Sequence, residues 1–195
     1  PFEVMVGAIL TQNTAWTNVE KAIANLHAAG VLDAEAILRA PHRRVAAWLR
    51  PAGYFNVKAK RLHNFCAWYA ARGGEKKLRR LDTTALREEL LNINGVGPET
   101  ADDILLYAFH RPVFVIDAYT RRMLARLRLA AGDETYDGLR VHIENSLERG
   151  SRGRRELVPL FNEYHALIVR HAKDVCRPRP RCKTCCLARH CPAAA

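Results

Sequence analysis

The sequence predicts an all-α protein, and three features carry that expectation. Apolar residues recur three and four positions apart over most of the 195-residue chain. The intervals between these stretches are short and carry Gly, Pro or Asp, the residues that stop and start helices. No segment alternates with a period of two beside a partner with which it could pair.

Taken in order, the apolar rows predict helices over about residues 2–12, 15–29, 34–39, 42–49, 56–72, 83–92, 98–109, 117–128, 134–149 and 154–174. Pro41 and Pro51-Ala52-Gly53 punctuate the early helices, and Gly73-Gly74 interrupts the middle of the chain. Gly150-Ser151-Arg152-Gly153, before the last long helix, reads as a flexible basic loop. Connections this short imply that neighbouring helices pack antiparallel. Val113-Phe114-Val115-Ile116 has strand composition, yet it is short, unpartnered and runs into Asp117. It is therefore expected as a buried extended linker, with Asp117 capping the helix that follows.

The length suits one large or two small domains. With 49% hydrophobic and 26% charged residues, the chain has the composition of a soluble protein with a real core. No apolar run approaches the roughly 18–20 residues needed to span a bilayer. The formal net charge of +11 points to a polyanionic partner, because bound lysines and arginines release counterions condensed on a nucleic acid. Anionic lipid is a weaker match, since no basic amphipathic anchor stands out. The chain opens within an apolar segment, Pro1-Phe2-Glu3-Val4-Met5-Val6, without an initiator Met, so further residues are expected upstream.

Five of the six cysteines lie in the last 20 residues, and only Cys66 lies elsewhere. Crowding of this kind favours a metal over disulfide staples, and hence a reducing cytoplasm. Cys176, Cys182, Cys185 and Cys191 are spaced C-x5-C-x2-C-x5-C. Four thiolates in a compact loop suit either iron-sulfur or zinc, and spacing alone does not choose between them. Cys186 adjoins Cys185 and is an alternative ligand, although the gap to Cys191 favours Cys185. Arg177, Arg179, Arg181 and Lys183 make the same loop basic, as a phosphate-contacting scaffold would be.

Outside the cysteines, Leu90-Leu91-Asn92-Ile93-Asn94-Gly95-Val96-Gly97-Pro98-Glu99-Thr100-Ala101 is the most informative segment. It reads as helix, tight turn, helix. Gly95 and Gly97 around Val96 allow close approach of the main chain to a ligand, and Pro98 suits a first helical position. Amides at such a helix start can bind a phosphate. A Gly-containing connection between helices is also common without any ligand.

The hairpin, its second helix and the apolar run ending in Asp117 resemble the helix-hairpin-helix and aspartate signature of the endonuclease III superfamily of DNA glycosylases. Pro1 to Leu26 resembles the family's start, with Gln12-Asn13-Thr14 in place of its glutamine-containing turn. Gly53-Tyr54-Phe55-Asn56-Val57-Lys58-Ala59-Lys60 resembles a second block and the cysteines a third, so the likeness spans nearly the whole chain. The resemblance implies a 4Fe-4S cluster on Cys176, Cys182, Cys185 and Cys191, although the family's first gap is one residue longer. It also implies double-stranded DNA containing damaged bases as the partner. No membrane partner, a monomer, and a cytoplasmic, nucleoid-associated location are expected.

The same resemblance assigns roles. Asp117 takes the catalytic aspartate's place, where a carboxylate stabilises an oxocarbenium-like sugar and orients water. Gln12 and Tyr54 are expected to fill the gap left by a flipped nucleotide. Gly95, Val96, Gly97 and Lys58 are expected to contact DNA, with Glu99 and Trp16 bordering the base pocket. Trp16 has two readings: stacking on an electron-poor methylated base, or an ordinary core position. His110, His142, His165 and His171 are scattered and read as surface or core residues.

Bifunctional members carry a lysine where this chain has Glu99, and a carboxylate cannot form their Schiff base. The expected activity is thus mainly monofunctional: a base-excision repair glycosylase that hydrolyses the N-glycosidic bond, with strand cleavage weak or absent. Oxidised pyrimidines and alkylated purines both remain as substrates. The alternatives are a bifunctional glycosylase/AP lyase and a non-catalytic DNA-binding iron-sulfur protein. The expected architecture is two helical lobes around a DNA-binding cleft. A helical bundle of residues 1–111 carries the hairpin, and residues 112–195 form the iron-sulfur lobe.

Overall fold

The computed structural model describes residues 1–151, 153 and 156–194. Its described residues form an all-α fold without strands, in two compact units, Pro1–His110 and Arg111–Ala195. No helix of the described residues is long and apolar enough to cross a membrane.

In the first unit α1 (Phe2–Leu10), α2 (Trp16–Ala28), α3 (Ala34–Arg39), α4 (His42–Trp48) and α5 (Phe55–Ala71) follow the expected order. Then come α6 (Gly74–Leu78), α7 (Thr83–Leu91) and α8 (Pro98–Asp103). The core forms around α1, whose Met5, Val6, Ile9 and Leu10 are fully buried and which packs against α2, α5 and α8. Asp33 and Asp82 cap α3 and α7, each accepting a hydrogen bond from an amide of the first turn at 2.8 Å.

Two expectations need correction here. Gly73-Gly74 does not simply break the chain, since Gly74 opens the short helix α6. The helix expected over 98–109 is not uniform: α8 ends at Asp103, and Ile104–Ala108 continues as a π turn with four of its five residues buried. Hydrophobic periodicity reports which face is buried, not which carbonyl each amide reaches.

The second unit holds α9 (Ala118–Arg126), α10 (Tyr136–Gly150) and α11 (Leu157–Asp174), then three short 3-10 turns within Cys182–Ala194. Arg152, Arg154 and Arg155, where much of the basic loop and the expected start of the last helix fall, lie outside the described residues. Val113–Ile116 is the buried extended linker that the sequence predicts. Two of its amides are satisfied by side chains of α10, Phe114 donating to Glu144 Oε1 at 2.8 Å and Ile116 to Tyr136 Oη at 3.3 Å, while Val113 donates to Arg111 O at 2.8 Å. These bonds take the place of a strand ladder. Phe114 then packs edge-on against Phe161 of α11, with ring centroids 5.6 Å apart.

Candidate functional site

The hairpin joins α7 to α8 through Asn92–Gly97. Val96 is buried and anchors the turn, while Gly97 is exposed at the start of α8. Gly95 has φ +99°, and a Cβ there would stand 2.3 Å from Arg61 Cγ, so only glycine fits over that side chain. The two helices are clamped by a bidentate ion pair, Arg87 Nε to Asp102 Oδ1 at 2.7 Å and Nη2 to Oδ2 at 3.1 Å, with Asp102 fully buried. Glu99 lies exposed in the first turn of α8, where a carboxylate meets the positive end of the helix dipole.

Gln12 reaches this hairpin from the α1–α2 turn. Its Nε2 donates to Gly95 O at 3.0 Å and Thr100 Oγ1 at 2.9 Å, and its Oε1 accepts from Arg61. The carboxamide that the sequence offers as a gap filler is thus engaged within the protein. Tyr54, by contrast, is 72% exposed on a left-handed backbone with φ +45°. Trp16 is 46% exposed rather than a core residue. Its ring lies against Gly7, and its indole N–H donates to Glu20 at 2.8 Å.

Lys58 does not occupy the phosphate-contacting position that the sequence suggests. It is 1% exposed, and its Nζ donates to the carbonyls of Leu10 at 2.8 Å and Ala52 at 2.7 Å. Burial, with the nearby positive charge of Arg61, lowers its pKa to about 8. The missed signal was periodicity: Lys58 shares the buried face of α5 with Leu62 and Phe65, whereas Val57 points outward.

In the second unit Asp117 is the N-cap of α9, its Oδ1 accepting from Thr120 N at 2.7 Å. Its Oδ2 lies 3.6 Å from His165 Nε2 on α11, with both side chains nearly enclosed. Burial raises the Asp117 pKa, but the hydrogen bonds and charge of His165 and the Thr120 amide outweigh it, leaving the carboxyl below its ordinary value. The residue is therefore an enclosed carboxylate kept ionised by its neighbours. His165 is the partner that sequence reasoning passed over. It falls in the buried row Leu157, Phe161, His165, Ile168 and Ala172, the signal that could have found it.

The cysteine loop follows α11. All six cysteines are free thiols; Cys66 is buried on α5, where burial first and the charge of Asp33 second push its pKa to about 12. Arg126, at the end of α9, donates to Cys176 Sγ at 3.2 Å and to the carbonyls of Arg177 at 2.6 Å and Pro178 at 2.9 Å. Arg122 donates to Cys176 O at 3.0 Å. Cys191 Sγ stands 3.6 Å from Arg126 O, and Cys185 Sγ 3.4 Å from His171 Nε2. Cys186 faces solvent. Among the described residues no three His, Cys, Asp or Glu side chains are grouped as ligands of one metal ion. Cys176, Cys182, Cys185 and Cys191 lie on one loop, and thiolates are the donor type that iron-sulfur clusters take, but their side chains are not drawn together here.

Residues 6–149 match the model of the HhH-GPD superfamily base excision DNA repair protein. The chain belongs to the HhH-GPD superfamily of base excision repair proteins. Within it, a Methanocaldococcus jannaschii protein named as a DNA repair glycosylase, MJ1434, is 44% identical over 97% of this chain and 84% of its own length. The Helicobacter pylori 3-methyladenine DNA glycosylase bound to 1,N6-ethenoadenine superposes with a TM-score of 0.76 at 30% identity, covering 88% of this chain and 84% of that one. A non-covalent endonuclease III–DNA complex superposes with a TM-score of 0.81 at 20% identity, over 100% of this chain and 84% of its own. This HhH-GPD chain is thus an endonuclease III-like DNA glycosylase of the base excision repair class. It places Gln12 with the hairpin, and Tyr54 with the turn that Lys58 secures from inside. Asp117 stands with His165.

Proposed function

We propose that the protein hydrolyses the N-glycosidic bond of an alkylated purine in double-stranded DNA, without appreciable strand cleavage. Asp117 carries the reading. A carboxylate held ionised inside the protein keeps its negative charge for a sugar that becomes positive as the base departs. In the proposed step, the C1′–N bond breaks with its electron pair going to the base. Asp117 stabilises the oxocarbenium-like sugar and takes a proton from the incoming water, whose oxygen forms the new bond to C1′. A purine alkylated at a ring nitrogen, such as 3-methyladenine, is cationic in the nucleotide, so it departs neutral with the electron pair and needs no proton, and the proton that Asp117 takes from water passes to solvent. His165 keeps Asp117 charged and oriented. Glu99 stands where bifunctional relatives carry their lysine, and a carboxylate offers no amine for an imine. The 30% identity to a 3-methyladenine glycosylase supports the purine assignment.

Gly95, Val96 and Gly97 are proposed to approach a phosphate, and Tyr54 to occupy the space that the flipped nucleotide leaves. Trp16, exposed and anchored on one side, is proposed to border the base pocket. Cys176, Cys182, Cys185 and Cys191 are proposed to hold a 4Fe-4S cluster, the contact of Cys185 with His171 favouring it over exposed Cys186. When bound, the cluster would fix the basic loop for phosphate contact.

Duplexes carrying 3-methyladenine, thymine glycol or uracil test the activity. The expected result is release of methyladenine with breaks that appear only after alkali. Intact strands for every lesion, or release of thymine glycol alone, would overturn it. For the cofactor, a broad absorption near about 400 nm with stoichiometric iron is expected. Stoichiometric zinc without that band would leave a thiolate site but remove the cluster.

A further inference from the structure

We propose that one face of α5 is a rack, in which Lys58, Arg61 and Asn64 are positioning residues that hold three DNA-facing turns in one preset arrangement. The proposal rests on the reading that these turns meet DNA. Residues 58, 61 and 64 are spaced i, i+3, i+6, which places them along one side of the helix. Each takes hold of a turn elsewhere in the first unit. Lys58 Nζ binds Leu10 O, where α1 ends, and Ala52 O, just before Gly53-Tyr54. Thr14 donates to the same Ala52 carbonyl, so the Gln12–Thr14 and Gly53–Tyr54 turns share one acceptor. Arg61 binds Gln12 Oε1 and passes beneath Gly95, while Gln12 Nε2 binds Gly95 O. Asn64 Nδ2 donates to Asn94 O at 3.0 Å, at the hairpin.

Packing does not explain these choices. Lys58 is fully enclosed, and a methionine of similar length would fill the same space without desolvating a charge. What the ammonium adds is a pair of donors to carbonyls from two separate segments. The turns also need holding. Tyr54 has φ +45°, a conformation unfavourable for a bulky residue that persists only where the surroundings enforce it, and Asn13 has φ +52°, which asparagine tolerates better. A surface assembled before DNA arrives loses less ordering entropy on binding, which favours a strained, flipped-out complex over a loose encounter.

Three measurements test the rack on the full-length protein, with Lys58→Met, Arg61→Met and Arg61→Lys. Amide exchange without DNA reads the rack itself. In Arg61→Met, exchange is expected to quicken together at residues 12–14 and 94–97, and in Lys58→Met at 10–14 and 52–54. Binding to a duplex with a tetrahydrofuran abasic analogue, against the intact duplex, reads the consequence. Both Met variants are expected to lose about tenfold of the abasic preference, the scale of one buried hydrogen-bond partner removed. Arg61→Lys should recover part of it. Third, Gln12→Ala should cost much less in the Arg61→Met background than in the parent, because the two act through one bond.

Unchanged exchange at the turns, or additive Gln12 and Arg61 effects, would overturn the rack. If Lys58→Met fails to fold, the partly exposed Arg61 variants and the cycle with Gln12 still decide. Should the parent show no abasic preference while exchange rises as expected, the rack stands and the DNA-facing reading falls.

Discussion

The helices α8 and α9 each carry an acidic residue at their start, and the two carboxylates live in opposite surroundings. Glu99, in the first turn of α8, is exposed to solvent. Asp117, the cap of α9, is enclosed, with one oxygen on the Thr120 amide and the other facing His165. Both satisfy the helix-start preference for negative charge. The second also faces a buried histidine. A capping role needs one oxygen; the buried histidine beside the other is what supports the proposed catalytic role. Similar local sequence logic thus produces an exposed acid in one unit and the candidate catalyst in the other.

The comparison breaks most readily at Asp117. Asp117→Asn keeps an oxygen for the Thr120 amide but removes the charge, and excision is expected to fall about 10²–10³-fold with the fold intact. Single-turnover base release, with circular dichroism as the control, checks this. A variant excising at the parental rate would leave Asp117 as a cap only.

His165→Leu should cost about tenfold in excision at neutral pH, the scale of one close charge interaction lost inside the protein, since the imidazole stands 3.6 Å from the Asp117 carboxylate. It should also move the acidic limb of the pH–rate profile upward. The sign follows from the opposing influences: without His165, burial is less opposed and the Asp117 pKa rises. In the parent the depressed carboxyl contributes stability above its unfolded pKa, and that stability is lost as pH falls through the lower folded value. Measured rates between pH 3 and 8 should show the limb shift. An unmoved limb would separate His165 from the carboxylate.

Lys58 extends the contrast to a buried cation. Its folded pKa near 8 lies below the ordinary lysine value of 10.5, so between these values the unfolded chain binds more protons and stability rises with pH. Denaturant melts from pH 7 to 10.5 should show this rise in the parent, and Lys58→Met should flatten it. The smallest effect is expected at Glu99. Glu99→Gln should change excision by no more than about twofold, since an exposed first-turn acid contributes only about 0.3–1 kcal/mol to its helix.

The sequence carries the helical architecture in its apolar rows, and it carries Asp117 in the abrupt end of Val113–Ile116. Less legible were the features that depend on a polar residue occupying an apolar row. Lys58 falls in phase with Leu62 and Phe65, and His165 with Phe161 and Ile168, yet polarity suggested the surface for the first and left the second between surface and core. Each is buried because the fold brings polar partners to it from outside its own helix, the carbonyls of Leu10 and Ala52 for Lys58 and the Asp117 carboxylate for His165. Gln12 misled for a related reason: its turn was recognisable, but its bond to Gly95, 83 residues away, was not. The π turn at Ile104–Ala108 leaves the burial pattern intact and so stays hidden.

The central claim is that water attacks the sugar beside Asp117, with no amine taking part. Borohydride trapping during excision of methyladenine from a duplex tests it most directly. The expected result is base released at the full rate with no covalent protein–DNA adduct. An adduct accumulating in step with base release, and persisting in Asp117→Asn, would contradict it.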